Sequence, residues 1–181
     1  MDSDDIALPE RFALQLEAFE RDPHLVLVGG QIAEFTDDPD HPTGERRVPL
    51  EDRDIRSYLK KRNPFNHMTV MFRMDAVQKA GGYQPFPLFE DYDLWARMAV
   101  RSGKLRNLPD VLVLARAGAD MVRRRGGAYY AKQQRAFQRR LLRLGLIAPA
   151  QYAVNCCVRT GASLMPHGMR SWLYRVVLRR K

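Results

Sequence analysis

The order of apolar and polar positions divides the chain into a first part that mixes strands with helices and a last part that is helical throughout. Phe12, Leu16 and Phe19 share an amphipathic helical face behind Pro9, which suits a first turn, and Asp22-Pro23 closes that helix. Residues 24–30 read as a short buried strand, at whose end Gly29-Gly30 let the backbone turn; residues 31–35 continue as strand. A polar loop over 36–44 precedes a helix over 51–62, a loop over 63–67 and a strand over 69–73. Residues 75–80 predict a short helix stopped by Gly81-Gly82. Leu94, Trp95 and Met98 form an apolar seam on the next helix, which runs to about residue 101. Asn107-Leu108-Pro109 then turns into a strand over 111–115.

From residue 126 the spacing is helical. Tyr130, Phe137, Leu141 and Leu144 share a face bounded by Gly145, and Pro149 opens a helix to about residue 159. Trp172, Leu173, Val176 and Val177 lie on one side of a third helix over 169–179, with arginines around them. The fold class is α/β with a helical C-terminal extension, and no internal repeat interrupts it.

Composition sharpens this picture in two ways. With 181 residues, 45% apolar and 28% charged, the chain has the makeup of a soluble domain with a real core, and no apolar run approaches the roughly 18 residues of a membrane span. The acidic start Met1-Asp2-Ser3-Asp4-Asp5 lacks the features of a secretory leader. Cys156 and Cys157 are adjacent, cannot readily bridge each other, and have no partners at zinc spacing. The net charge of +9 is uneven: the first 60 residues are acidic on balance, and from Met121 onward Asp and Glu are absent. That asymmetry points to a polyanionic partner for the basic part. Nucleic acid is the weakest candidate, because no helix-turn-helix, zinc or RNA-binding motif accompanies the arginines.

Three stretches carry candidate chemistry. In Phe89-Glu90-Asp91-Tyr92-Asp93-Leu94-Trp95, two carboxylates stand at a loop-to-helix junction over a buried Trp. Such a junction can hold a general base, although an acidic cap is its commoner use. Asp2-Ser3-Asp4 spaces two carboxylates as hard cations such as Mg²⁺ or Mn²⁺ accept them, or it is a solvated acidic segment. Arg123, Arg124 and Arg125 match phosphate oxygens in geometry, or form a solvated basic turn. His67 follows a proline loop, from which it reaches an acceptor or a phosphate, or is satisfied by backbone. Gly29-Gly30 has no surrounding phosphate-cradle pattern and reads as a strand-end turn.

Taken in order, Met1-Asp2-Ser3-Asp4-Asp5, the run from Asn63 to Arg73, Gly81-Gly82-Tyr83, Glu90-Asp91-Tyr92-Asp93-Leu94-Trp95 and Arg123-Arg124-Arg125-Gly126-Gly127 resemble a bacterial family-2 glycosyltransferase of the GT-A fold. Within that family they resemble the capsular and exopolysaccharide branch. The resemblance implies a mixed sheet with flanking helices, and sugar transfer from a nucleotide-sugar donor to a hydroxyl of a lipid-linked or oligosaccharide acceptor, with inversion. It implies a divalent metal, Mg²⁺ or Mn²⁺, on Asp4, with Asp2 touching the ribose or a metal-bound water. Asp91 becomes the general base, Glu90 orients the acceptor or the base, and His67, Arg124 and Arg125 bind substrate.

Such enzymes carry roughly 80–100 residues before the DxD motif, a domain-sized fraction that holds the nucleotide. The chain therefore resembles the C-terminal portion of one: residues 1–118 as the acceptor-side part of the catalytic domain, and 119–181 as a basic helical extension. Aromatic and aliphatic residues flanked by arginines on the last helices describe an interfacial surface. The expected place is the cytoplasm, peripheral on the inner face of the cell membrane. The alternative is a non-catalytic remnant that binds membrane or a partner protein through its basic helices.

Overall fold

A computed structural model describes residues 3–101, 103–117 and 127–164, in two compact units, 1–117 and 118–181. Strand β2 (Leu25–Phe35) is the centre of the first unit. Its near-continuous apolar run is buried on both faces, which is how a strand inside a parallel pairing reads. Along one edge it pairs in parallel with β5 (Lys104–Arg116), from Leu25 beside Lys104 to Phe35 beside Arg116. Its other edge is shared by two short antiparallel strands. β4 (Met71–Phe72) sits opposite Val28 and Leu27, and β3 (Gly44–Arg46) opposite Glu34 to Ile32. β1 (Ile6–Ala7) closes the far side of β5, antiparallel, giving a five-stranded mixed sheet with the order β1-β5-β2-β3. The unit is thus α/β, with a mixed sheet and flanking helices, as expected.

Two glycine and proline signals were misleading. Gly29-Gly30 is no turn; it lies in the middle of β2. A Cβ on Gly29 would collide with Asn107 Oδ1 and the Phe65 ring, and one on Gly30 with the Leu112 side chain. The glycines are there for close packing. Nor is Asn107-Leu108-Pro109 a turn, because β5 runs straight through it. The register jumps from Gly29–Asn107 to Gln31–Val111, so residues 108–110 bulge opposite Gly30. Within a bulge the missing N–H of Pro109 breaks no ladder bond. Gln31 holds the bulge with a 2.8 Å bond from its Nε2 to the Leu108 carbonyl.

Helix α1 (Arg11–Arg21) keeps only Phe19 of its expected face against the core. Phe12 and Leu16 are exposed, while Arg11, Gln15 and Ala18 are buried. Gln15 Nε2 donates to the carbonyls of Val28 (2.9 Å) and Thr69 (2.8 Å), and its Oε1 accepts from Arg11 Nε. Helix α2 (Asp52–Leu59) buries Ile55 and Leu59. The expected strand over 69–73 shrinks to β4, because His67–Thr69 forms a 3₁₀ turn closed by Thr69 Oγ1 on the Asn66 carbonyl (2.8 Å). Helix α3 (Met74–Lys79) ends on Gly81 and Gly82, both at positive φ. Bonds from Gly82 N to Val77 O and Gly81 N to Gln78 O (both 2.9 Å) complete a Schellman cap. Helix α4 (Glu90–Ala99) follows this loop.

In the second unit α5 (Gly127–Arg143) and α6 (Pro149–Leu164) form a hairpin. Gly145, at φ 70°, ends α5 with the same cap, Leu146 N bonding Leu141 O and Gly145 N bonding Leu142 O. Phe137 and Leu141 are buried, and Asn155 Nδ2 bonds Gln138 Oε1 at 2.9 Å across the pair. The expected helix over 169–179 lies outside the described residues. Among the described residues no helix is long and apolar enough to cross a membrane.

Candidate active site

Trp95 organises the site. It is 1% exposed and touches Phe65, Phe72 and Tyr83 at ring-centroid distances of 6.0, 6.2 and 6.5 Å. Around it α4 is buried on every side from Tyr92 to Ala99, including Asp93 and Arg97. Arg97 pairs with Asp93 (Nε to Oδ2, 2.8 Å) and donates to the carbonyls of Ala80 and Gly82. One buried guanidinium therefore ties α4 to the end of α3. At the C-terminal end of α4, Arg56 donates to the carbonyls of Ala99 and Gly103, and near its start Tyr92 Oη bonds the Leu59 carbonyl at 2.5 Å. The helix is fixed along its length, so the groups at its start are fixed too.

Those groups are Glu90 and Asp91. Leu88 precedes them at φ 72°, a conformation that a non-glycine residue adopts only under constraint. The N-cap position belongs to Phe89, with no side-chain cap. Asp91 lies one turn position inside, half-buried, with both oxygens engaged. Asn63 Nδ2 donates to Oδ2 at 2.9 Å, and the Tyr92 amide to Oδ1 at 2.6 Å. Asn63 is itself held, because its Oδ1 accepts from Phe65 N at 3.2 Å in an Asx turn. Two carboxylate oxygens offer about four acceptor directions, so capacity remains for a further proton donor. Glu90 is exposed beside it. The Tyr83 phenol has its pKa raised, first by burial and then by the charges of Asp91 and Glu90.

The other expected site residues fall elsewhere. Asp4 stands exposed on the turn before β1, and no hydrogen bond among the described residues joins it to Glu90 or Asp91. Its neighbour Asp5 accepts the Arg116 amide at Oδ1 (3.2 Å), which extends the β1–β5 pairing, while its Oδ2 is buried without a hydrogen-bond partner. Among the described residues no three His, Cys, Asp or Glu side chains gather to hold a metal. Asp4, exposed, offers a carboxylate of the kind that a hard divalent cation takes alongside phosphates and water. His67 is exposed at the start of the 3₁₀ turn, beside the buried Asn66 and Met68. Asp2, Arg124 and Arg125 lie outside the described residues. Sequence reasoning missed Asn63 as a partner of Asp91; Asn63-Pro64 was legible only as a loop.

Comparison with known proteins shows which family the chain belongs to. The chain is 41% identical over 174 residues to the amylovoran biosynthesis glycosyltransferase AmsE of Erwinia amylovora, covering 96% of the chain and 65% of that protein. It is 38% identical over 180 residues to an uncharacterized glycosyltransferase of Haemophilus influenzae, covering 99% of the chain and 67% of that protein. The chain belongs to this family of bacterial glycosyltransferases. A third glycosyltransferase, the Escherichia coli UDP-Gal:alpha-D-GlcNAc-diphosphoundecaprenol beta-1,3-galactosyltransferase, is 31% identical over 179 residues, 99% of the chain and 65% of that protein. The chain thus spans about two thirds of the length of these glycosyltransferases. No family model matches it.

Proposed function

We propose that the chain is the acceptor-side part of an inverting family-2 glycosyltransferase of the GT-A fold, acting in surface polysaccharide assembly. It would move a sugar from a nucleotide-sugar to a hydroxyl of a lipid-linked or oligosaccharide acceptor. The observation that carries this reading is Asp91: a carboxylate at the head of a buried helix, held by Asn63 and the Tyr92 amide. Asp91 accepts the proton of the attacking hydroxyl as its oxygen bonds the anomeric carbon and the bond to the diphosphate breaks on the opposite face. Glu90, exposed next to it, orients the acceptor. His67, exposed, contacts acceptor or phosphate. Asp4 would hold Mg²⁺ or Mn²⁺, Asp2 would touch the ribose or a metal-bound water, and Arg124 and Arg125 would grip the diphosphate. When bound, the cation neutralises charge gained by the leaving diphosphate.

A peripheral place on an anionic membrane face agrees with the second unit. Lys132, Arg135, Arg139 and Arg143 form an exposed row on α5, and Val154 and Val158 are exposed on α6.

Asp91→Asn tests the reading. Transfer should fall by about 10²- to 10⁴-fold, the usual contribution of a general base, while Mn²⁺-dependent binding of a nucleoside diphosphate, followed by calorimetry, stays near wild type. Loss of that binding in the variant would remove Asp91 from the base role. Failure of the unaltered chain to bind nucleoside diphosphate at all would favour the non-catalytic reading.

A further inference from the structure

Of the three rings that meet Trp95, Tyr83 is the exposed one. Its ring meets Trp95 edge-on at 73°, yet 57% of the residue remains exposed. Much of the gain from burying an aromatic side chain is forgone here. The backbone presenting the ring is nevertheless firmly held. Gly81 and Gly82 take positive φ, Gly82 N bonds Val77 O at 2.9 Å, and Arg97 Nη2 holds the Gly82 carbonyl at 2.7 Å from inside the core. Arg97 in turn is locked to Asp93, and the two side chains are 6% and 0% exposed. A loop pinned by a buried ion pair, ending in an open aromatic ring, is a platform.

Charge says what the platform receives. Glu90 and Asp91 lie close enough to the Tyr83 phenol to oppose its ionisation, and Arg97, the basic residue on α4, is committed to Asp93 and the loop carbonyls. Two carboxylates would repel the phosphates of a donor. They suit an uncharged polyol, whose hydroxyls donate to carboxylate oxygens, while the flat C–H face of a pyranose gains from leaving water against an aromatic ring.

We propose that Tyr83 is an acceptor-binding residue: its exposed ring stacks on the terminal pyranose of the acceptor, with Glu90 bonding that sugar's hydroxyls, so that the reacting hydroxyl meets Asp91. This rests on the assignment of Asp91 as the base, and it adds the subsite and the chemical class that fills it.

The experiment is a titration of the full chain, by saturation-transfer NMR and tryptophan fluorescence. The probes are methyl pyranosides of N-acetylglucosamine, glucose and galactose, and a short-alkyl α-N-acetylglucosaminyl diphosphate. Saturable binding of at least one probe is expected. Tyr83→Phe should stay within about twofold, because the ring is kept. Tyr83→Leu, which still covers Trp95 but has no aromatic face, and Tyr83→Ala should each weaken binding roughly tenfold, with near-ultraviolet dichroism confirming the tryptophan packing. Wild-type binding by Tyr83→Leu, or no pyranoside binding by the unaltered chain, overturns the proposal. Mn²⁺-dependent nucleoside diphosphate binding, measured in parallel, reports on the transferase reading alone. Sugar binding that depends on Tyr83 without nucleotide binding keeps the subsite and sinks the transferase; the reverse result does the opposite.

Discussion

Helices α1 and α4 have comparable apolar seams in sequence and opposite fates in the structure. In α4, Leu94, Trp95 and Met98 go inside as their spacing says, and the polar Asp93 and Arg97 go inside with them. In α1 most of the seam is left out, with Phe12 58% and Leu16 55% exposed and only Phe19 packed on the core, while Arg11 and Gln15 are covered. The difference lies in what the neighbouring backbone needs. Next to α4, the carbonyls of Ala80 and Gly82 at a helix end have no partner in the chain's regular structure, and a buried guanidinium supplies one. Next to α1, the carbonyls of Val28 and Thr69 stand where β2 passes the 3₁₀ turn, and the Gln15 amide supplies both. An unsatisfied buried carbonyl costs about 1–3 kcal/mol, which rivals the gain from burying one more apolar side chain. Irregular backbone therefore decides which face of a helix turns inward.

The contrast can be broken most sharply at Arg97. Arg97→Met leaves the Asp93 carboxylate buried without its partner and frees two carbonyls, so urea unfolding should show a loss of about 3–5 kcal/mol. Adding Asp93→Leu should recover part of it, since removing both charges is milder than stranding one. Gln15→Leu makes the equivalent cut in α1. It should lose about 1–3 kcal/mol despite being the more apolar residue; a gain in stability would mean that the carbonyls are not what hold α1 in place. The double change Phe12→Ser with Leu16→Ser should move the unfolding midpoint little, within about 0.5 kcal/mol for each site, whereas a buried seam would lose several. The smallest effect is electrostatic. In Asp91→Asn the Tyr83 phenol loses a neighbouring negative charge, so its ionisation should shift to lower pH, toward the ordinary tyrosine value. An NMR titration that finds no shift would separate the two side chains.

The elements that were legible in the sequence are those whose cause is local. Gly81-Gly82 stopped a helix because its C-cap is written in adjacent residues. The Trp95 seam and the carboxylates ahead of it fell on one helix, where spacing is informative. The Asp91 stretch was also legible as a candidate base, while its aim was not, because Asn63 reaches it from 28 positions away. Pro109 was misread as ending a turn because the amide that stabilises its bulge belongs to Gln31, on another strand. Gly29-Gly30 was misread for the same reason. Nothing nearby in sequence reveals that the Phe65, Asn107 and Leu112 side chains fill the space where Cβ atoms would stand. Each miss traces to a side chain far away in sequence.

The arrangement of β2 has a kinetic consequence. This strand bonds β3, β4 and β5, and only β1 is attached elsewhere. Its parallel neighbour begins at Lys104, far along the chain, so loop closure must precede most of the sheet's stabilisation. On a ribosome, the doubly buried run from Leu25 to Phe35 is made early and waits, uncovered, until β5 has followed it. Once closed, the sheet has no half that survives alone, and β2 amides should exchange with solvent only when the whole first unit opens. During synthesis the same strand is the segment most in need of a chaperone.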